Sequence, residues 1–426
     1  MDKVYVKTYG CTMNFSDSEV MKGILAGSGY EIVGSVEEAN VVVVNTCTVK
    51  DPAEKSFFRF VEDVRQINRN MPVVVAGCIA QATPELVKDY SLVGVDQVHM
   101  IAKAVDEALS GNIVKFISHE NAQRLNLPKI RSNEVVEIIP INRGCLGNCS
   151  YCLTKLSRGN LQSFPAECIL RQARQAIKQG VREIWLTSQD TGAYGKDIGT
   201  NIAELLKSVL SLEGSFMVRL GMINPEHVLE NLDDLVSVFK SKKMFKFLHI
   251  PVQSGNNEIL KKMRRLYSAD DFAMIVKRFR NELPHITIST DVICGFPTET
   301  DEQFNDTIEL IKAAKPDVLN ISRYFRRPKT DAALMEQVSG STIKQRSRKI
   351  TEIFDYIAFE QNLKWKNWEG RIIVDEKGKN NTLIGRNYAY KQVIIDAKQG
   401  IKLGDVVSVK IIKTTKHDLR AEVIKA

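Results

Sequence analysis

Short runs of almost unbroken apolar residues alternate with amphipathic stretches over the first three-quarters of the chain. Near the amino terminus the runs are KVYVKTYG, ANVVVVNT and MPVVVAG. Runs this short and this rich in Val predict strands buried on both faces, as in a parallel sheet. Between them lie SDSEVMKGILAGSG and AEKSFFRFVEDVRQINRN, whose apolar residues recur at helical spacing. The first opens on Ser16 and Asp17, residues suited to a helix cap, and ends in glycine. Strand and helix in alternation predict an α/β domain, a doubly wound parallel sheet, over residues 1–118. A linker follows over 119–134.

From Val135 the alternation resumes six times. The strands read VVEIIPINRGC, VREIWLTSQD, FMVRLGMINP, KFLHIPVQSG, TISTDVICGFP and VLNISRYFRRP, with helices such as AECILRQARQAIKQG and DEQFNDTIELIKAAKP between them. A right-handed βα series closes toward a barrel whose active loops lie at the carboxyl ends of its strands. Six units fall short of a complete barrel, so residues 135–340 are predicted to form a partial (β/α)6 barrel, open on one side. The pattern then changes. TIKQRSRKITEIFDYIAFEQNLKWKNW reads as one connecting helix over 341–367. From Trp368, strands alternate with turns, as in a small all-β barrel over 368–426.

Composition adds three constraints. Hydrophobic residues are 44% and charged residues 26% of the chain, ordinary for a globular protein. No apolar run reaches the ~18 residues of a membrane span, and MDKVYVKTYGC lacks the basic-then-apolar order of a signal peptide. A cytoplasmic protein with no membrane partner and reduced cysteines is expected. The net charge of +8 suits a phosphate-bearing partner. Much of it is local, because from Trp368 onward there are 12 Lys and Arg against 7 Asp and Glu. There Tyr388 and Tyr390 interleave with Arg386 and Lys391, and basic grooves with aromatic platforms suit RNA. A solvated charged surface would have the same composition.

Three of the eight cysteines stand in RGCLGNCSYCLTK, as C-x3-C-x2-C at Cys145, Cys149 and Cys152. Structural zinc takes four ligands, and the nearest histidines, His119 and His227, are distant in sequence. A disulfide reading fails because three is odd and nothing marks the chain as secreted. Three thiolates can each take one corner of a 4Fe–4S cube, leaving one iron open to chelate a substrate. Cys11, Cys47 and Cys78 each follow one of the Val-rich runs. Positions just beyond the carboxyl ends of parallel strands converge, so cysteines 36 and 31 residues apart can meet. A second three-thiolate cluster is expected there, although small buried cysteines at strand ends would give the same pattern. Cys168, inside an amphipathic helix, and Cys294, at a strand end, have no companions and read as structural.

The C-x3-C-x2-C loop resembles the signature of the radical S-adenosylmethionine (SAM) enzymes, whose open iron holds the amino and carboxylate groups of SAM. That resemblance gives meaning to polar residues at the barrel's strand ends: Gln189, Asp190, Asn224, Gln253, Ser254, Asn256, Asp291 and Gly295. Amides and carboxylates can hold ribose hydroxyls and an ammonium group, and glycine admits close backbone approach. Each of them could equally cap a loop.

Over essentially the whole chain, TYGCTMN, VVNTCTV, VAGCIAQ, RGCLGNCSYCLTKLSRG, LTSQDTGAYG, HIPVQSGNNEILKKMRR, DVICGFPTET and GRNYAYKQVII resemble the radical-SAM methylthiotransferases. These comprise an N-terminal cluster domain, a radical-SAM barrel and a C-terminal TRAM RNA-binding domain. CLTKLSRG and SQDTGAYG are similar to the archaeal and eukaryotic branch, which acts on threonylcarbamoyladenosine next to the tRNA anticodon. The resemblance implies two 4Fe–4S clusters and two SAM molecules per turnover. One SAM methylates a sulfur at the auxiliary cluster of Cys11, Cys47 and Cys78. The other is split at the cluster of Cys145, Cys149 and Cys152, giving a 5′-deoxyadenosyl radical that activates carbon 2 of the adenine. The partners implied are the anticodon stem-loop of tRNA, an external electron donor and a sulfur source. The carboxylate of the threonylcarbamoyl group needs a cation, and Arg323, Arg326 and Arg327 after the sixth strand are the candidates. In RRPKTDAA the family pattern leads one to expect glycine where Lys329 stands. Isopentenyladenosine or a ribosomal-protein aspartate could be methylthiolated on the same architecture. A non-catalytic iron–sulfur RNA-binding protein is the reading from a different class.

Overall fold

The computed structural model describes residues 1–48, 51–119, 124–397 and 400–425, with the side chains of all of these except 51–55 and 425. Residues 49, 50, 120–123, 398, 399 and 426, which fall in the predicted N-terminal domain, linker and C-terminal domain, lie outside the described residues.

The first sheet is parallel throughout. Its strands are β1 (Lys3–Thr8), β2 (Glu31–Val33), β3 (Val41–Thr46), β4 (Val73–Gly77), β5 (Ser91–Val93) and β6 (Lys115–Phe116), in the order β2-β1-β3-β4-β5-β6. Strand periodicity explains the Val runs. Val41 and Val43 pack on one face with Met21, Leu25 and Ile101, while Val42 and Val44 pack on the other with Phe57, Val61 and Val64. Helices Thr12–Gly27 and Asp51–Ile67 supply those two covers, so the sheet is doubly wound. Strand order reverses between β1 and β3, the crevice where such sheets bind ligands. One boundary departs from expectation. The first helix starts at Thr12 behind Cys11, not at Ser16 or Asp17. Both polar residues are buried inside the helix, where Asp17 pairs with Arg124 and Arg158.

Six parallel strands then form the central domain. They are β7 (Val136–Pro140), followed by the short ladder of β8 (Asn142–Arg143) and β9 (Gln162–Ser163), then β10 (Glu183–Thr187), β11 (Met217–Leu220), β12 (Phe247–His249), β13 (Thr287–Cys294) and β14 (Val318–Arg323). The groups β7-β10-β11 and β12-β13-β14 are joined by main-chain bonds from Val218 N to Lys243 O (2.7 Å) and from Ile223 N to His249 O (2.9 Å). Among the described residues no ladder joins β14 back to β7, so the barrel is open, as its count of units predicts. Alternation assigns the faces. Ile184 and Leu186 pack against the surrounding helices, whereas Trp185 turns to the other side with Arg219 and Phe247.

The helix Gly340–Leu363 leads to β15 (Glu369–Lys377), β16 (Thr382–Arg386), β17 (Gln392–Asp396), β18 (Val406–Thr414) and β19 (Leu419–Lys425). These close as β15-β16-β17-β19-β18 around Ile372, Val374, Val393, Ile395, Val407 and Val409. The small barrel packs on the amino ends of the central strands. Tyr390 inserts among Phe245, Phe247 and Trp185, with ring centroids at 4.8, 5.3 and 6.3 Å. Lys246 N donates to Tyr388 O at 2.8 Å. The C-terminal barrel therefore occupies the end opposite the loop of Cys145, Cys149 and Cys152.

Candidate active site: two cysteine triplets at strand ends

Cys11 follows β1, Cys47 directly follows β3, and Cys78 directly follows β4 and opens the short helix Cys78–Ala82. Three adjacent strands thus deliver three cysteines to one edge. Asn14 organises them. Its Oδ1 lies 3.7 Å from Cys11 Sγ and 3.9 Å from Cys78 Sγ, while its Nδ2 donates to Tyr9 O at 3.0 Å and Thr46 O at 2.7 Å. Gly10, at φ +115°, closes over Cys47: a β carbon there would meet Cys47 Cβ at 2.6 Å and Sγ at 2.9 Å. Cys11 is exposed while Cys47 and Cys78 are buried, so the triplet opens outward on one side.

The second triplet is held by its own loop. Gly147 N donates to Cys145 Sγ at 3.2 Å and Thr154 N to Cys152 Sγ at 3.3 Å. A β carbon on Gly147 would lie 3.3 Å from Cys145 Sγ and 3.6 Å from Cys149 Sγ, so both sulfurs flank that glycine. Burial, reinforced by Asp190, pushes the Cys145 thiol up to about 12. Burial also raises Cys149, against the pull of Arg265. Such thiols are poor nucleophiles, and they become ligands when a metal displaces their protons. Among the described residues no three His, Cys, Asp or Glu side chains close to the geometry of a single ion. The corners of an iron–sulfur cube hold thiolates further apart than one ion does, and backbone N–H groups aimed at sulfur belong to such sites. Both triplets fit a cluster better than a lone ion.

Several buried polar atoms lack a hydrogen-bond partner: Glu226 Oε2 and Arg265 Nε, whose charges act on Cys149, and Gln189 Oε1 and both amide atoms of Asn142, at the ends of the strands that precede Asp190 and Cys145. Buried polar atoms left without a partner are candidates for contact with a ligand. An amide, a carboxylate and a guanidinium suit the hydroxyl, amino and carboxylate groups of SAM. Asp190 and Asn224 support this shell from behind. Asn224 Nδ2 donates to Asp190 Oδ2 at 2.6 Å, and Arg265 Nη1 donates to Asn224 Oδ1 at 2.8 Å. Burial opposes the Asp190 charge, but hydrogen bonds from His227 and Asn224 outweigh it and hold the carboxyl below the usual range. Across the barrel, Asp291 accepts from Asn320 Nδ2 at 2.6 Å and sits 2.8 Å from His249 Nε2. Gln253, at φ +67°, ties its strand end to β13 by donating to Asp291 O at 2.8 Å.

Three expected SAM contacts have other duties. Ser254 is fully buried and turns to Thr307, 3.3 Å away between hydroxyls. Asn256 caps the helix Asn257–Lys262, accepting from Glu258 N and Ile259 N at 3.1 Å each. Gly295, at φ +74°, makes room for Ile343, whose Cγ1 would stand 2.3 Å from a β carbon. The close approach that requires glycine there is a helix, not a ligand.

The expected RNA contacts need a larger correction. Arg386, Tyr390 and Lys391 lie in the seam between the two barrels. Arg386 Nε pairs with Asp375 Oδ2 at 3.0 Å, and Lys391 Nζ pairs with Asp317 Oδ1 at 2.7 Å while donating to Asn362 Oδ1 at 3.0 Å. Tyr388 is 37% exposed but leans on Trp365 and Trp368. Interleaved aromatic and basic residues make a buried seam as readily as an RNA platform. Among the described residues the exposed cations of this domain are Arg371, Lys377, Lys379, Lys402, Lys413, Lys416 and Arg420, with Lys413 and Arg420 cross-strand partners.

Arg323, the last residue of β14, and Arg326 beyond it are exposed, donating from Nε to Ser347 Oγ (2.8 Å) and Ala333 O (2.9 Å). Arg327 Nη1 reaches across to Thr48 O at 2.7 Å, next to Cys47. Lys329 adopts φ +67°, which explains why glycine was expected there, and its Nζ donates to Ala82 O at 3.2 Å and Glu85 Oε1 at 2.8 Å. Asn14, Arg158 and Arg265 were not singled out from sequence. All three lie inside the motifs TYGCTMN, CLTKLSRG and HIPVQSGNNEILKKMRR, beside cysteines and strand-end polar residues that stand out more by type and spacing.

A partial barrel of six parallel strands with a C-x3-C-x2-C loop at its carboxyl face defines a radical-SAM protein. Residues 139–311 match the Radical SAM superfamily, residues 3–96 the uncharacterized protein family UPF0004 and residues 369–424 the TRAM domain. The solved radical S-adenosylmethionine methyltransferase TsrM from Kitasatospora setae shares the fold, with a TM-score of 0.57 at 14% identity over 78% of this chain and 75% of that one. The chain is 42% identical over 402 residues to a Pyrococcus horikoshii protein named probable threonylcarbamoyladenosine tRNA methylthiotransferase, covering 93% of this chain and 94% of the relative. It is 38% identical over 434 residues to the Homo sapiens threonylcarbamoyladenosine tRNA methylthiotransferase, covering 99% and 74%. The chain belongs to the threonylcarbamoyladenosine tRNA methylthiotransferase family. Radical-SAM membership implies a 4Fe–4S cluster and SAM.

Proposed function

We propose that this enzyme adds a methylthio group to carbon 2 of threonylcarbamoyladenosine beside the anticodon of tRNA, in the cytoplasm, using two 4Fe–4S clusters and two SAM molecules per turnover. The observation that carries the reading is the convergence of two cysteine triplets, one on each domain, joined by Arg158. When bound, the clusters and SAM supply what no acid–base group can, a radical able to open an unreactive aromatic C–H bond and a sulfur to put in its place.

The chain's own residues do the rest. Cys145, Cys149 and Cys152 hold one cluster, and Cys11, Cys47 and Cys78 the other. Gln189, Asn142, Glu226 and Arg265 orient SAM, held in turn by Asp190 and Asn224. Gln253 and Asp291 line the barrel that receives the base. Arg323 and Arg326, exposed at the carboxyl end, meet the threonylcarbamoyl carboxylate, and Arg327 braces them against the N-terminal domain. The C-terminal barrel grips RNA at the opposite end through its exposed cations. The eight residues of β13 rise about 26 Å at ~3.3 Å per residue, a span that a tRNA stem can bridge along the outside. Electrons come from an external donor and sulfur from a separate source. Among the described residues no helix is long and apolar enough to cross a membrane.

An anaerobic assay with SAM, a reductant and sulfide tests this reading. Transfer RNA already bearing threonylcarbamoyladenosine should gain a methylthio group by nucleoside mass spectrometry, and unmodified tRNA should not. Equal product from unmodified tRNA, or product from isopentenyladenosine tRNA alone, would leave only the enzyme class standing.

A further inference from the structure

A buried guanidinium crosses from the barrel to the N-terminal cysteines. Arg158 ends the short helix Thr154–Arg158, on the loop that carries Cys152, and is 2% exposed. Its Nη2 donates to Asn14 Oδ1 at 2.9 Å and stands 2.9 Å from Asp17 Oδ2. That same Asn14 oxygen lies within 4 Å of both Cys11 Sγ (3.7 Å) and Cys78 Sγ (3.9 Å). The other terminal nitrogen, Nη1, is buried and has no hydrogen-bond partner.

A charged donor shut away from water without an acceptor is costly, and proteins rarely leave one so. Asp17 is shared with Arg124 at 3.0 Å, so Arg158 does not have that carboxylate to itself. Cys78 and Cys11 lie close enough to the guanidinium for their charges to act on it, and Asn14 Oδ1, which accepts from Nη2, faces both sulfurs. We propose that Arg158 is a positioning residue for the auxiliary site: its Nη1 donates to sulfur of the cluster held by Cys11, Cys47 and Cys78, and its charge offsets that cluster's. The proposal rests on the two-cluster reading. Three thiolates make the assembly an anion, more so once reduced, and a fixed cation with a hydrogen bond to sulfur favours the reduced form. A residue that merely tied the domains together through Asp17 would alter stability and leave the cluster's electronic properties alone.

The test uses the full chain with Cys145, Cys149 and Cys152 all replaced by Ala, so that only the auxiliary cluster is present. After anaerobic reconstitution it should hold about four irons. In that background Arg158→Gln should keep the iron, lower the midpoint potential and change the paramagnetic resonance spectrum of the reduced cluster. Arg158→Lys should recover part of the potential, because the charge returns without the fork. Asp17→Asn removes an anion beside Arg158 and should shift the potential the opposite way. Unchanged potentials and spectra in Arg158→Gln and Asp17→Asn, with iron retained, would overturn the proposal. Should Arg158→Gln lose its iron, Asp17→Asn decides by the sign of its shift, and no shift or a downward one overturns it. If the triple-alanine chain takes up no iron at all, the two-cluster reading fails and this proposal falls with it.

Discussion

The two cysteine triplets make the same kind of site by different means. Cys145, Cys149 and Cys152 sit in one loop, and their geometry is set by backbone bonds within it, such as Gly147 N and Thr154 N to sulfur. Cys11, Cys47 and Cys78 arrive from three strands and meet only because β1, β3 and β4 are neighbours. The first triplet is a local structure that needs a platform. The second is a property of the sheet, and anything that shifts one strand end against another dismantles it. Asn14, bonded to Tyr9 O and Thr46 O while facing two sulfurs, is the brace that such an assembled site needs and a loop site does not.

The largest effect separates the two by chemistry. The wild-type chain should bind about eight irons after anaerobic reconstitution, four per cluster. Replacing Cys145, Cys149 and Cys152 by Ala should halve the iron and abolish reductive cleavage of SAM to 5′-deoxyadenosine. Replacing Cys11, Cys47 and Cys78 should halve the iron and leave cleavage intact. Cys168→Ser and Cys294→Ser should change neither. Iron assay and chromatography of the nucleoside product read both outcomes. Loss of all iron from either triple variant would mean one shared site and would break the comparison.

The two sites also differ in how they were legible. The loop triplet is visible as spacing alone, because adjacent residues in sequence stay adjacent in space. The sheet triplet becomes visible only once Val-rich runs are read as parallel strands, since convergence is a consequence of topology. The polar shell was harder. A strand-end Asn that caps a helix, such as Asn256, and one that supports a ligand site, such as Asn224, have the same sequence context; a helix begins one residue later in both, but the Asn256 side chain accepts from its helix's N–H groups while that of Asn224 makes no cap bond and turns to Asp190. In sequence Gly295 reads as space for a ligand, but the neighbour it admits, Ile343, is 48 positions away and belongs to a helix whose docking no local pattern predicts. In the C-terminal domain, Tyr390 and Lys391 have the composition of an RNA platform. Their burial against Phe245 and Asp317 is decided by how two domains pack.

A smaller effect sharpens the contrast through two glycines. Gly77, immediately before Cys78, has φ +89°, and a β carbon there would lie 2.2 Å from Asn45 Oδ1 and 2.6 Å from Thr46 O. Gly77→Val must move a neighbouring strand, at a cost of about 1–3 kcal/mol for the backbone conformation and a similar amount for overpacking. It should lose the auxiliary iron, about half of the total, while SAM cleavage survives. Gly147, between two sulfurs of the loop triplet, has 3.3 Å of clearance, and the loop can yield by a few tenths of an ångström. Gly147→Ala should therefore keep its iron. The reverse ranking, with Gly147→Ala stripping iron and Gly77→Val retaining it, would show that the loop is the rigid site and the sheet edge the tolerant one.

The smallest effect concerns the link between the two sites. Lys329, beyond β14 of the central barrel, bonds Ala82 O and Glu85 Oε1 at the far end of the helix that Cys78 opens. Two terms oppose each other there. A non-glycine residue at φ +67° costs about 1 kcal/mol relative to glycine. The exposed Lys329–Glu85 pair, at 2.8 Å, returns roughly 0–1 kcal/mol. Lys329→Ala loses the pair and keeps the strain, so it should be destabilised by up to about 1 kcal/mol. Lys329→Gly loses the pair and relieves the strain, so it should be near neutral and more stable than the Ala variant by about 1 kcal/mol. The hydrogen bond from Lys329 is the first cause holding the Glu85 carboxyl below its ordinary value. A carboxyl lowered in the folded state contributes stability above its unfolded value and loses it as pH falls through the folded one. Both variants should therefore lose part of the acid-range pH dependence of unfolding, equally, while differing at neutral pH. Urea unfolding followed by fluorescence at neutral and acid pH separates the terms. Auxiliary iron should stay unchanged in both variants, because Asn14 and the strand order, not this surface link, hold Cys78 in place. Equal stability of the Gly and Ala variants would mean that the loop relaxes out of the left-handed conformation once the lysine is gone, and that the ion pair was what held it there.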